Sequence, residues 1–354
     1  MNRCLIVIVL MISLIISCAS VSTSHSAKKD NPFGVLVFLP WNDDWNHNMY
    51  PPQKALRAMD LIQEAGIGWV RMDFSRTKIQ PEGEGEYDFA DFDFLVKELD
   101  ARGIRILGIL GYSPPWAASD GTSWNSPPKD IESFKRYVFE VVSRYQKEIT
   151  HWEIWNEPNL SNYWQPQDDL AGYSQLLEAS YHAAKKANPG CKILNGGLAI
   201  NSIEDYEHFY AKGLNRFFDI FNVHLFVGAT GIADIDQQIL NNADIIRVVM
   251  ARHHDESKPL WITEIGFHGV PDAIRATDPK LKYKPGERQQ AGLLTKTFKA
   301  PLESGKVDKI FWAFLQDTDG HFPDGADYLG LIRSDFSIKP SYEALKELIA
   351  DYKK

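Results

Sequence analysis

The chemistry of this chain starts at two glutamates. Glu157 stands in the string Thr150-His151-Trp152-Glu153-Ile154-Trp155-Asn156-Glu157-Pro158-Asn159, and Glu264 in Leu260-Trp261-Ile262-Thr263-Glu264-Ile265-Gly266. Each closes a strand-like apolar run: Pro158 cannot continue a ladder, and a glycine follows Glu264 almost at once. Two carboxyls at one mouth, one kept protonated and one ionised, are the equipment for cleaving a glycosidic bond; retention of configuration goes with a separation of about 5 to 5.5 Å. No metal site is expected, because His253 and His254 are adjacent on a helical pattern and face different ways. Glu82, Glu84 and Glu86 read as a solvated loop, and no cofactor is expected.

The elements that must position these residues can be counted. Strand-like runs cover Phe33 to Leu39, Ile67 to Phe74, Ile104 to Leu110, Ile149 to Trp155, Lys192 to Gly196, Phe218 to His224, Pro259 to Glu264 and Lys309 to Leu315. Between them lie runs with apolar spacing near 3.6, such as Ala55 to Ala65, Phe92 to Ala101, Ile131 to Tyr145, Leu170 to Ala187, Ile235 to Ala251 and Gln289 to Leu302, with a closing helix from Ser341 to Tyr352. Strand and helix alternating in this way predict an α/β fold, a single (β/α)8 TIM barrel over residues 32–354. The rival, an open doubly wound sheet, lacks a glycine-rich phosphate loop after the first strand. Glu157 and Glu264 then stand at the tips of strands four and seven, on the face where barrel enzymes build their sites.

With those ordinals in hand, the paired motifs resemble the clan A glycoside hydrolases, most of all family 39 and its bacterial endoglycosidase relatives. The resemblance implies that Glu157 is the general acid and base, that Glu264 is the nucleophile, and that Asn156 hydrogen-bonds the sugar hydroxyl next to the anomeric carbon. It matches Arg71, in Trp69-Val70-Arg71-Met72-Asp73, to the clan's arginine beside the nucleophile, where a fixed positive charge would hold Glu264 ionised. A structural pairing of Arg71 with Asp73 or Glu153 is the competing reading, and Glu153 is expected as an interior ion-pair partner rather than a third catalyst. His224 occupies the clan's strand-six histidine position. Many relatives carry a tyrosine two residues later, where this chain has Phe226, so His224 or a loop residue must supply the missing donor. Of the ten tryptophans, those placed after strands are candidates for stacking on sugar rings: Trp41, Trp45, Trp116, Trp124, Trp155, Trp164 and Trp312. Trp312 resembles the clan's platform beneath the reacting sugar, and Trp312 and Trp155 are the two expected in the cleft.

Composition narrows the partners. The chain has 354 residues and a formal charge of -9, with no long basic run, so nucleic acid is not an expected partner. A polysaccharide or oligosaccharide is. The rival from another class is a carbohydrate-binding lipoprotein on a scaffold that no longer catalyses, and Glu157, Glu264, Asn156 and Arg71 standing together argue against it. At the N-terminus, Arg3 precedes an apolar run from Leu5 to Ile16 that is shorter than the roughly 20 residues of a membrane span. It reads as a signal peptide over residues 1–17. Ile15-Ile16-Ser17-Cys18 resembles a bacterial lipobox, so Cys18 is expected to carry lipid, to begin a polar tether over residues 18–31, and to hold the protein to a bacterial envelope membrane. Cys191, in a strand-like run, is expected to be a buried and inert thiol. The mass of the mature N-terminal peptide checks the anchor: a diacylated or triacylated Cys18 is expected, and an unmodified Cys18 sinks it.

Overall fold

A parallel strand with a barrel interior on one side and helices on the other is buried on both faces, so it is written as a nearly continuous apolar run. The computed structural model describes residues 30–41, 49–199, 202–226, 234–318 and 326–354. Its strands are β1 (Phe33–Leu36), β2 (Trp69–Ser75), β3 (Arg105–Gly111), β4 (His151–Ile154), β5 (Lys192–Asn195), β6 (Phe221–His224), β7 (Leu260–Ile265) and β8 (Lys309–Trp312). The helices are α1 (Pro52–Ala65), α2 (Arg76–Ile79), α3 (Ala90–Ala101), α4 (Ile131–Arg144), α5 (Ala171–Ala187), α6 (Ile203–Ala211), α7 (Ile235–Arg252), α8 (Asp272–Thr277), α9 (Glu287–Glu303) and α10 (Pro340–Tyr352).

All strand pairs are parallel, in the order β5-β4-β3-β2-β1-β8-β7-β6. The two ends meet. Leu194 bridges Ile220 and Leu198 bridges Val223, and the N–H groups of Asp219 and Ile220 both donate to the Ile193 carbonyl, at 2.7 and 3.2 Å. The sheet is therefore the expected (β/α)8 barrel, within a compact unit running from Asn31 to Lys354.

The expected strands are all present, but several are shorter. β1 stops at Leu36 rather than Leu39, and β8 at Trp312 rather than Leu315. The apolar residues beyond those points, Phe38 excepted, are still buried, in loop rather than in strand. The short helices α2, α6 and α8 were not expected; they are brief, and only α2 and α6 carry a side-chain cap, where Ser75 accepts from Thr77 N and Ser202 from Asp205 N. Residues 1–29 and Trp45 lie outside the described residues, so the signal, the tether and Cys18 do too. Among the described residues no helix is long and apolar enough to cross a membrane.

The barrel interior is layered. At the bottom, Trp69, Leu107, Leu194, Ile220, Trp261 and Phe311 form an apolar plug, with the His151 ring stacked on Trp261 at 5.1 Å. Gly34 of β1 makes room for it: a Cβ there would lie 2.3 Å from the Phe311 ring. Side chains alternate along a strand, so residues two positions further on share the inner face. Those residues are Arg71, Glu153, Asn222 and Thr263, and this polar layer, seated on a rigid apolar floor, supports the site.

Candidate active site

β4 leaves the sheet at Ile154, and the next residues turn inward on unusual backbone. Trp155 has φ 67° and Glu157 φ 43°, left-handed values that cost about 1–3 kcal/mol for such residues. Packing holds the turn in place. The Trp155 N–H donates to Leu110 O at 2.9 Å and its Nε1 to Tyr163 O at 2.8 Å, while its ring lies edge-on to Tyr112 and Trp164, both 5.2 Å away. The consequence is that Asn156 and Glu157 are carried to the mouth of the barrel.

There Arg71 makes four hydrogen bonds to three partners. Its Nε and one terminal nitrogen donate to the two oxygens of Glu153, at 2.7 and 2.8 Å; the same terminal nitrogen donates to Asn156 Oδ1 at 2.7 Å, and the other to Glu264 Oε1 at 2.5 Å. Arg71 and Glu153 are both buried. Burial opposes the guanidinium charge, but the anions of Glu153 and Glu264 more than offset it and raise the Arg71 pKa. Arg71 is thus beside Glu264 and also paired with Glu153. Asp73 is not its partner; its carboxylate accepts from Trp41 Nε1 at 3.1 Å.

His224 links the two glutamates. Its Nδ1 lies 2.7 Å from Glu157 Oε1 and 3.7 Å from Glu264 Oε1, and its Nε2 3.1 Å from Thr263 Oγ1. Thr263 and Glu264 are neighbours in sequence and would ordinarily face opposite ways. A register shift opposite Val223 and His224, where His224 pairs with Glu264, lets both reach the imidazole.

The environments push the groups apart. Burial raises the Glu157 carboxyl to about 7, opposed by the Arg71 cation and helped by the Glu153 anion. Burial lowers the His224 imidazole to about 4. For Glu264 burial also acts upward, against His224 and Arg71, and the net direction is up. The Arg71 cation, expected to hold Glu264 ionised, does act downward on it, but the upward pull of desolvation is larger. Glu264 is still the one of the pair that a guanidinium N–H addresses directly, which favours its ionised form. Glu157, His224 and Glu264 each offer one ligand atom, all within 4.8 Å of one another. A metal ion there would share the Glu264 carboxylate with the Arg71 guanidinium, 2.5 Å from Oε1, so like charges would meet; the cluster suits proton transfer better.

Over Glu264 opens a cavity of about 590 Å³, within the usual range for small-ligand sites; Glu157 and His224 lie behind its lining rather than in it. Arg71, Asn156 and Glu264 stand at its base, and aromatic walls come from Trp41, Tyr112, Trp124, Tyr163 and Phe314. The tryptophan expectations divide here. Trp312 and Trp155 are fully buried and do not line the cavity. Phe311 occupies the inner face of β8, so alternation turns Trp312 outward, where it stacks on Phe298 of α9 at 6.4 Å and donates to Leu329 O at 2.8 Å. Trp164 is core, and Trp116 donates to Gln80 O and covers Arg76. Trp41 and Trp124 do line the cavity. Phe226 is exposed and outside the lining; the hydroxyl-bearing residues nearest in role are Tyr112 and Tyr163. Cys191 is buried with its thiol pushed up to about 11 by desolvation, in keeping with an inert group. Asp73 faces the cavity with a carboxyl that burial raises to about 6. Its place two residues after Arg71 on the same strand was the signal that could have marked it as part of the site.

Residues 32–266 match the family model described as Glycosyl hydrolases family 39. A β-xylosidase of Geobacillus stearothermophilus is 30% identical over 157 residues, 39% of this chain and 31% of that protein. A coniferin β-glucosidase of Pinus contorta is 26% identical over 144 residues, 40% of this chain and 27% of that one. These matches span about a third of the curated relatives' length. Among solved structures, a family 39 glycoside hydrolase from Bacteroides cellulosilyticus WH2 superposes with TM-score 0.67 at 23% identity, covering 91% of this chain and 64% of that one. GH5_18 from Streptomyces cattleya, in complex with GlcNAc, gives 0.70 at 17% identity, covering 92% and 81%. At these identities the structures speak for the barrel fold.

The outward placement of Trp312 is testable. Trp312→Ala should lower stability by about 3–5 kcal/mol, as for a truncated core tryptophan, while Trp312→Phe keeps the KM for a cleaved glycoside. Trp124→Ala, at an exposed aromatic of the cavity wall, should do the reverse, raising KM with little loss of stability. A KM that rises several-fold in Trp312→Phe returns that residue to the cleft.

Proposed function

Because this chain belongs to glycosyl hydrolases family 39, we propose that it is a retaining glycoside hydrolase with Glu264 as nucleophile and Glu157 as acid and base. The observation that carries this reading is the spacing: an oxygen of each carboxyl lies within 4.8 Å of the other, near the roughly 5 to 5.5 Å of retaining enzymes and short of the 6.5 to 9.5 Å that leaves room for water in inverting ones. Glu264 attacks the anomeric carbon, the C–O electron pair stays with the leaving oxygen, and that oxygen takes the Glu157 proton. Water then gives a proton to the Glu157 carboxylate and its oxygen to the anomeric carbon, releasing Glu264 as carboxylate. Asn156, fixed by Arg71, faces the neighbouring sugar hydroxyl.

The substrate is read as a neutral sugar chain. Among the described residues that line the cavity, Arg71 is the one cation, and its nitrogens are already engaged by Glu153, Asn156 and Glu264, leaving nothing to meet a sugar carboxylate. Asp73 supplies an acceptor for ring hydroxyls instead. The several aromatic side chains, contributed from the ends of β1, β3, β4 and β8, favour more than one bound sugar ring and hence endo action on a polysaccharide. The β-xylosidase names of curated relatives favour the alternative, exo release of single sugars. Cys18 would tether this activity to the cell envelope.

One set of assays on polysaccharides and aryl glycosides tests the scheme. Glu264→Ala should abolish turnover of every substrate. Glu157→Ala should lose about 10²- to 10⁴-fold on substrates with poor leaving groups, yet give a burst with an activated aryl glycoside that azide turns into steady release. On polymer, wild-type protein should lower viscosity well before reducing ends accumulate; monosaccharide release alone selects the exo reading. Binding without cleavage of any substrate leaves only the carbohydrate-binding alternative, and full activity in Glu264→Ala refutes the assignment.

A further inference from the structure

We propose that a hydrogen-bonded chain running Asn195, Asn222, Thr263, His224 is a positioning device that fixes the tautomer of His224 and thereby keeps the acid's proton on Glu157. The inference rests on the acid and base role given to Glu157 above.

The chain can be read without ambiguity because it starts on backbone. Asn195 Oδ1 accepts from the Asn222 N–H at 2.8 Å and Asn195 Nδ2 donates to Asn222 O at 2.8 Å; in return Asn222 Nδ2 donates to Asn195 O at 3.1 Å. A backbone carbonyl only accepts, so the Asn222 nitrogen must face it and Oδ1 must face the other way. That oxygen, 2.7 Å from Thr263 Oγ1, can only accept, so the threonine hydroxyl donates to it. With its hydrogen spent there, Thr263 Oγ1 accepts from His224, and Nε2 must carry an N–H. All of these groups are buried. A neutral imidazole with its hydrogen on Nε2 has a bare lone pair on Nδ1. Nδ1 is 2.7 Å from Glu157 Oε1, so the proton in that contact belongs to the carboxyl.

The ring cannot evade this by moving. Gly197 presses on it so closely that a Cβ there would meet Nε2 at 2.0 Å, and the backbone N–H of Gly197 is itself tied to Glu153 Oε1 at 2.9 Å. The charged and titratable groups around the pair are Arg71 from β2, Glu153 from β4, Tyr163 from the loop after it and Glu264 from β7. Among the described residues none of them makes a hydrogen bond to the Glu157 carboxyl, which leaves the imidazole as its partner. A lone pair facing Oε1 disfavours the carboxylate and strengthens its hold on a proton. The same effect serves both halves of the reaction: Glu157 stays an acid up to neutral pH, and once it has given up its proton it is a strong base toward water.

The test uses full-length chain with substitutions at position 263, read by kinetics and by NMR of 15N-labelled histidine, the His224 signal being assigned by its loss in His224→Gln. Wild type should show the Nε2–H tautomer between the His224 and Glu157 titrations. Thr263→Val removes the Nε2 partner, so the imidazole is expected to place its hydrogen on Nδ1 and donate to the Glu157 carboxylate. The alkaline limb of kcat/KM should then move down by about one pH unit, with the loss greatest on substrates with poor leaving groups. Thr263→Ser, which keeps the hydroxyl, should keep the wild-type limb. A Thr263→Val profile that superimposes on wild type, an equal shift in Thr263→Ser, or an Nδ1–H tautomer in wild type overturns the proposal. If no glycoside is cleaved at all, the hydrolase reading fails, and the wild-type spectrum still decides the tautomer.

Discussion

The site is organised around one buried cation. A guanidinium taken wholly out of water is tolerable only if its donors are met, and Arg71 meets Glu153 with two bonds, Glu264 with one and Asn156 with one. Removing one member of such a buried pair typically costs about 3–5 kcal/mol, because the other is left uncompensated. The geometry of the mouth follows. Glu264 is aimed by the guanidinium, Asn156 is drawn inward by it, and the left-handed residues Trp155 and Glu157 are what the end of β4 must adopt for Asn156 to arrive there.

Around that cation the two carboxyls part company through their immediate neighbours. Both feel desolvation, which acts upward on each. Glu264 answers it with a direct charge-assisted hydrogen bond; Glu157 has instead a neutral imidazole whose basicity burial has suppressed. An unbuffered pair this close would share one proton indiscriminately. Here the polar layer distinguishes the partners before any substrate arrives, which is the preorganisation that electrostatic catalysis depends on.

Much of this was legible because breaker residues mark where strands end. Pro158 and Gly266 put Glu157 and Glu264 at strand tips, and the count of apolar runs supplied the ordinals that also located Arg71 and His224. What escaped was facing. In Lys309 to Leu315 every position is buried, from the barrel side or the helix side, so the run carries no alternation from which to learn that Phe311 and not Trp312 points inward. The role of Thr263 escaped for a related reason: strict alternation sets it opposite Glu264, and only the irregularity between β6 and β7 brings both to His224. The Asn195 and Asn222 pair joins two strands 27 positions apart, a contact that closure of the barrel creates and no local pattern announces.

The central claim is that Glu157 and Glu264 act at retaining distance through a glycosyl-enzyme. The most direct measurement follows the anomeric proton of the first product by NMR as wild-type protein cleaves a β-glycoside or polysaccharide of known configuration. The account predicts that the anomer formed first has the configuration of the bond that was cut, with the other appearing only later by mutarotation. An inverted anomer at the earliest times would contradict it.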